Sequence, residues 1–145
     1  MALKLNTAPT VEPISLAEAC AHLRIDAESF EDVVTSAQSI APGSHNVAAA
    51  YSLKGTGVAI SSKEALVIFE SGTNGTGGTV DVKLQESDTD IDGNYTDVTS
   101  GSFTQVTTSN DNATYEKAYT GSKAYIRVVC TVAVAACEFG VSIVT

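Results

Sequence analysis

The apolar positions of residues 13–26 recur with the period of an α-helix. Leu16, Ala19, Cys20 and Leu23 fall at positions i, i+3, i+4 and i+7, so they form one apolar stripe on a helix surface. The sequence SLAE at residues 15–18 is a capping box, in which the serine and the glutamate bind backbone amides that the helix start leaves unpaired. The pattern predicts a short amphipathic helix, preceded over residues 1–12 by an extended arm without an apolar period.

From residue 47 onward, short apolar segments alternate with turn sequences, as in an all-β protein. Residues 80–85 alternate strictly between apolar and polar positions, which is typical of a half-buried strand. Residues 64–70 are almost continuously apolar, which predicts a central strand covered on both faces. Residues 71–78 and 87–94 are rich in Gly, Ser, Asn and Asp and predict turns. The predicted strands are residues 47–53, 58–60, 64–70, 80–85, 95–98, 103–106, 114–119, 124–131 and 137–143.

This spacing of strands predicts the fold class. Eight or nine strands separated by turns every 8–12 residues favour a mainly β protein with an antiparallel β-sandwich, immunoglobulin-like or jelly-roll-like. We expect two parts: residues 1–32 as an extended arm plus amphipathic helix, and residues 33–145 as the sandwich domain. Residues 27–40 fit two interpretations. The helical interpretation rests on the spacing of Phe30, Val33, Val34 and Ala37, whereas residues 33–40 also fit a strand rich in branched side chains that stops at Pro42 and Gly43.

Charge and composition narrow the class of partner. The 145 residues carry a net charge of −9 with only eight Lys and Arg, which argues against a nucleic-acid partner. No apolar run reaches the ~18 residues of a membrane span, and the first residues are too short and polar for a signal peptide. We therefore expect a protein made in a cytoplasm, without a membrane partner.

Two groups of side chains are candidates for site chemistry. Asp88, Asp90 and Asp92, followed by Gly93, have the carboxylate spacing of a calcium loop, but the position of its bidentate glutamate holds Thr99. A solvated acidic hairpin tip is the favoured interpretation, and no metal is expected. Cys130 and Cys137 are expected on the core faces of two adjacent strands, directly opposite each other if the turn centres between Ala133 and Val134. Two buried thiols are favoured over a cross-strand disulfide, given a reducing cytoplasm.

Catalytic patterns are not expected in this chain. The two histidines, His22 and His45, have no Ser or Cys neighbour in the pattern of a triad, so we expect a protein that is not an enzyme and needs no cofactor.

Tyr125 and Arg127 share the non-core parity of their predicted strand, where they would form a contact patch for a ligand.

Two segments resemble structural proteins of tailed bacteriophages. The sequence PISLAEACAHLRID at residues 13–26 resembles the N-terminal signature of phage head–tail adaptor proteins. The second resemblance is to a β module of phage head decoration and minor virion proteins. It is carried by EALVIF at residues 64–69, VKLQESD at 82–88, YTDV at 95–98, YIRVV at 125–129 and FGV at 139–141.

These resemblances imply a non-enzymatic virion protein, assembled in the cytoplasm of a host bacterium. Its partners would be the major capsid protein or the portal and neck proteins, with homo-oligomers in the particle and docking through Leu16, Leu23 and Phe30. Head decoration is favoured over the adaptor role, because adaptors continue as a helical bundle where this chain turns to β. A carbohydrate- or calcium-dependent adhesive module on the virion is the alternative from another class.

Overall fold

The computed structural model describes residues 35–46, 51–61 and 64–145 of the chain. The predicted arm, the predicted helix and the docking residues Leu16, Leu23 and Phe30 lie outside these described residues, as do residues 27–34. Within the described residues the secondary structure is ten strands and one short 3-10 helix, Asp92–Asn94. The strands are β1 Ser36–His45, β2 Tyr51–Lys54, β3 Val58–Ala59, β4 Ala65–Asn74, β5 Thr79–Ser87, β6 Thr96–Ser102, β7 Val106–Thr107, β8 Ala113–Tyr119, β9 Tyr125–Ala133 and β10 Cys137–Val144.

The strands form two antiparallel sheets. The first sheet has the order β1-β10-β4-β8, and the second has the order β2-β9-β5-β6. Two short strands extend the second sheet, β3 beside β9 and β7 beside β5. The longest ladder, between β5 and β9, pairs nine successive residues from Thr79–Ala133 to Ser87–Tyr125 without a shift. The chain therefore keeps its most regular pairing at the centre of the second sheet.

The core lies between the two sheets, and this arrangement confirms the predicted mainly β sandwich. Alternate side chains of each central strand point inward, as the period of a strand requires when one face is buried. The most deeply buried of these residues are Val67, Phe69, Val80, Val82, Leu84, Ile126, Val128, Cys130, Val132, Cys137, Val141 and Ile143.

Strand β4 differs from the prediction in two ways. It is not covered on both faces, because Leu66 is 36% exposed and Ile68 only half-buried, while Val67 and Phe69 are fully buried. An antiparallel sandwich has one core face per sheet, so an apolar run in the sequence can still present alternate residues outward. The strand also continues to Asn74, through part of the segment predicted as a turn.

Strand β1 settles part of the ambiguous segment, since residues 36–40 are strand. It does not stop at Pro42 and Gly43 but reaches His45, with shifts in its pairing to β10 at Gln38/Ile40 and Ile40/Gly43. These irregularities accommodate the proline, which lacks an amide donor and is tolerated on an edge strand.

The predicted strand at residues 103–106 is wrong for most of its length. Residues 103–105 are not strand, and pairing resumes only at Val106 and Thr107 of β7. Phe103 nevertheless remains attached to the second sheet, since its amide donates to the Val82 carbonyl at 2.8 Å.

Candidate functional site

The acidic turn after β5 is held by contacts with several other elements. The Lys123 ammonium lies 2.8 Å from the Asp88 carboxylate, and the Tyr95 hydroxyl donates to Asp90 Oδ1 at 2.7 Å. Asp92 accepts from Lys54 at 2.7 Å. Each carboxylate of the predicted calcium-loop spacing therefore has its own protein partner, and the three do not converge on one point. Within the described ranges, no group of three His, Cys, Asp or Glu side chains could hold a metal ion.

Arg127 of β9 is the centre of this arrangement. Its guanidinium donates twice to Gln85 Oε1, at 2.9 and 2.8 Å, and once to Asp92 Oδ1 at 2.5 Å. It also stacks on the Tyr95 ring, with Cζ 4.0 Å from the ring centroid. We call these four side chains, Gln85, Asp92, Tyr95 and Arg127, the arginine cluster. A planar guanidinium with several donors suits such a site better than a lysine ammonium would.

The arginine cluster overturns the expectation of an exposed patch at Tyr125 and Arg127. Arg127 is only 6% exposed, and Tyr125 is half-buried. The parity of the strand is as predicted, but the turn at residues 88–94 folds over the outer face of the second sheet and covers the arginine. The sequence carried one usable signal for this contact: a single arginine on the non-core face of a strand, with an acidic turn elsewhere in the chain.

The charges and hydrogen bonds of the arginine cluster hold the acidic turn against the second sheet. Hydrogen bonds from Lys54 and then from Arg127 lower the pKa of Asp92, so this carboxylate stays ionised. Burial, followed by the hydrogen bond to Asp90, raises the pKa of Tyr95, so its phenol stays protonated and keeps donating. Asp92 and Tyr95 are therefore each held in the protonation state that their hydrogen bonds require.

A groove crosses the outer face of the first sheet. It has a volume of about 400 Å³, and glycines from three strands, Gly43, Gly72 and Gly140, lie in its lining. The exposed carboxylates of Glu70 and Glu138 border it. The lining also contains Pro42, whose ring packs so closely over Gly140 that a Cβ there would lie 2.9 Å from the proline Cα. The groove is therefore shaped by backbone, with negative charge at its rim.

The two described cysteines are free and buried, but they are not on adjacent strands. Strand β9 belongs to the second sheet and β10 to the first, so Cys130 pairs across to Val82 while Cys137 pairs across to Asn74. The predicted opposition of the two residues is wrong. The connection between β9 and β10 crosses from one sheet to the other and is not a hairpin within one sheet.

Both thiols should resist alkylation in the folded protein. Burial raises the pKa of Cys130 to about 12, and burial with the nearby Asp111 charge raises the pKa of Cys137, so neither forms thiolate at neutral pH. We expect iodoacetamide to label Cys130 and Cys137 only after denaturation in urea, as measured by peptide mass spectrometry. Labelling of either residue at equal rates in native buffer and in urea would contradict the structure.

Comparison with known proteins adds no family to this description. No protein-family model matches the chain, and no curated protein matches it significantly. A search of the described residues for helices with the length and hydropathy of a membrane span finds none.

Proposed function

We propose that this protein is a non-enzymatic structural protein of a tailed-phage virion, with head decoration as its role. The observation that carries the proposal is where the resembling segments lie. Residues 65–69 of the first segment lie in β4, and residues 139–141 lie in β10; these are the two inner strands of the first sheet. Residues 82–88 and 125–129 lie mainly in β5 and β9, the two inner strands of the second sheet. The resemblance thus runs through the framework of the whole sandwich.

Both edge strands of the first sheet have features that disfavour pairing with a strand of another protein. Edge strand β1 carries Pro42 and two shifts in its pairing, which blunt an edge against strand addition. At the opposite edge, Lys117 of β8 is half-buried, with its ammonium 5.5 Å from the Phe103 ring centroid. An inward charged side chain on an edge strand also discourages edge-to-edge pairing. Because the N-terminal segment carries the predicted apolar stripe, we assign docking on the shell to residues 1–32, through Leu16, Leu23 and Phe30.

The adhesive alternative receives less support from the described side chains. A sugar-binding surface needs exposed aromatic rings. Of the four tyrosines whose side chains the structure describes, Tyr95 and Tyr119 are buried, and Tyr115 and Tyr125 are half-buried. The hydroxyls of Tyr95, Tyr115 and Tyr119 already donate to protein oxygens. Glycan-array binding is the result that would favour this alternative over a structural role.

Leu23→Asp tests the docking assignment. We expect the wild-type protein to co-sediment with empty capsids of the phage that encodes it, and the variant to lose most of this binding. A charge in the apolar stripe removes the surface that would anchor the segment. The melting temperature of the purified variant should match that of the wild type.

Ala21→Asp is the matched control, because residue 21 lies off the stripe of the predicted helix. It should co-sediment like the wild type. Failure of the wild-type protein to bind capsids would contradict the decoration role, and binding to isolated portal rings instead would favour the adaptor. Equal loss of binding by both variants, or unfolding of Leu23→Asp, would contradict the assigned stripe.

A further inference from the structure

We propose that Asn74 is a site of spontaneous deamidation and that the native fold protects it from this reaction. Once Asn74 has been converted, the corner of the sandwich formed by Asn74 and Gly75 can no longer return to its native conformation. Asn74 and Gly75 form the only Asn-Gly pair in the chain. Glycine has no Cβ, so its amide nitrogen can approach the side-chain carbonyl carbon of the preceding asparagine with little steric hindrance. The pair lies at the end of β4, where the chain turns toward β5.

The chemistry needs only water as a co-reactant. The Gly75 nitrogen forms a bond to Asn74 Cγ, the bond between Cγ and Nδ2 breaks, and the Gly75 amide proton leaves with Nδ2 as ammonia. Water then adds to one carbonyl of the resulting five-membered imide and opens it. The products are aspartate or isoaspartate at position 74, with no change in oxidation state.

The native contacts oppose the first step. The Gly75 amide donates to the Ala136 carbonyl at 2.8 Å, so the attacking nitrogen is already engaged. The Asn74 amide donates to Asp111 Oδ2 at 2.8 Å and holds the backbone beside the loop before β8. Asn74 is only 6% exposed, which also restricts access of water. Ring closure therefore requires this corner to open and release the Gly75 amide.

The same corner has features that weaken its closure. Neither side-chain amide atom of Asn74 has a hydrogen-bond partner among the described residues, and burying an unpaired polar group is unfavourable. The β4–β10 ladder also shifts between Cys137 and Phe139, directly beside Asn74. Local opening is expected at such irregular ends of a ladder rather than at its regular centre.

The deamidated side chain would not return to the buried position that Asn74 occupies in the native protein. Deamidation places a carboxylate where the neutral amide was buried, and the Asp111 carboxylate is already next to the Asn74 backbone. Desolvation and a like charge both disfavour an ionised group there. The chemical step thus turns a reversible local opening into a permanent one.

The first experiment measures conversion in the full-length protein. Samples are incubated at one pH and temperature in native buffer and in urea, and peptide mass spectrometry follows Asn74, with Asn112, which precedes Ala113, as the internal control. We expect Asn74 in urea to convert at least about tenfold faster than in native buffer, and also faster than Asn112 in urea. Equal rates for Asn74 in both buffers, or for both asparagines in urea, would overturn the proposal.

The second experiment tests whether a carboxylate at position 74 destabilises the native conformation of this corner. Asn74→Asp is compared with Asn112→Asp, since Asn112 is exposed and its Oδ1 accepts from Thr73, which an aspartate can also do. We expect Asn74→Asp alone to lower the melting temperature, and to do so more at neutral pH than in acid. The sign follows because burial raises the pKa of an aspartate there, so its ionisation costs stability as pH rises. Equal melting temperatures of the two variants at neutral pH would overturn this part of the proposal.

Discussion

Phe69→Ala should lower the free energy of unfolding by about 3–5 kcal/mol, as expected for deletion of a buried aromatic side chain. Phe69 is fully buried and lies at the centre of an aromatic group. Its ring centroid lies 6.0 Å from Phe103, 5.7 Å from Tyr115 and 5.8 Å from Phe139. These contacts join β4 to β8, to β10 and to the segment after β6, so the substitution leaves a cavity that several elements border. Urea denaturation followed by circular dichroism measures the loss.

Leu66→Ala is the control for this prediction, because Leu66 lies on the same strand but faces outward. Leu66 is 36% exposed, so we expect a loss in the free energy of unfolding below about 1 kcal/mol, in line with the smaller apolar area removed from contact. Similar losses for the two variants would mean that β4 is buried on both faces in solution, as the sequence alone predicted.

Arg127→Met should lower the free energy of unfolding by about 2–3 kcal/mol, while Lys54→Met should change it by less than about 1 kcal/mol. Both cations contact Asp92, but their surroundings differ. The Arg127 side chain is 7% exposed and also bonds Gln85, whereas the Lys54 side chain is 51% exposed. Removal of the arginine leaves the Gln85 oxygen without its donor on a covered sheet face, and it also removes the stacking on Tyr95. Urea denaturation of both variants under identical conditions gives the comparison.

The difference in the free energy of unfolding between the wild type and Arg127→Met should also depend on pH. The pKa of Asp92 is lowered in the folded protein, so its contribution to stability is present above the unfolded value of about 3.9 and disappears as pH falls through the lowered pKa. The variant should therefore differ most from wild type at neutral pH and less in strong acid. Equal effects of the arginine and lysine substitutions at neutral pH would contradict the central role of the arginine cluster.

Strand existence was predictable from this sequence where side chains alternate and turn residues interrupt them. The prediction of a strand at residues 80–85 is confirmed, because a strand with one buried apolar face and one polar face has a side-chain period of two. Residues 103–106 were wrongly predicted as a strand, because Phe103 satisfies its amide with Val82 without joining a regular ladder. A local pattern reports that a side chain is buried, but it does not report which backbone partner its amide finds.

The arginine cluster was beyond the reach of local patterns for a related reason. Parity correctly placed Arg127 on the non-core face of β9, but exposure of that face depends on what folds over it. Asp92 lies 35 residues away in sequence, in a turn whose composition predicted only a solvated hairpin tip. The contact exists because β5 and β9 are neighbours in the second sheet and bring Gln85 beside Arg127.

The order of apolar and polar residues by itself determined the mainly β class, the inward face of the central strands and the burial of both described cysteines, since these follow from periodicity and from the cost of exposing apolar surface. Only the tertiary structure decided which sheet each strand joins. Cys130 and Cys137 are seven residues apart, yet their strands lie in opposite sheets. The sequence of a short connection does not show whether it closes a hairpin or crosses between sheets. The outcome depends on which strands are available to pair. That choice follows from long-range packing, which no single segment encodes.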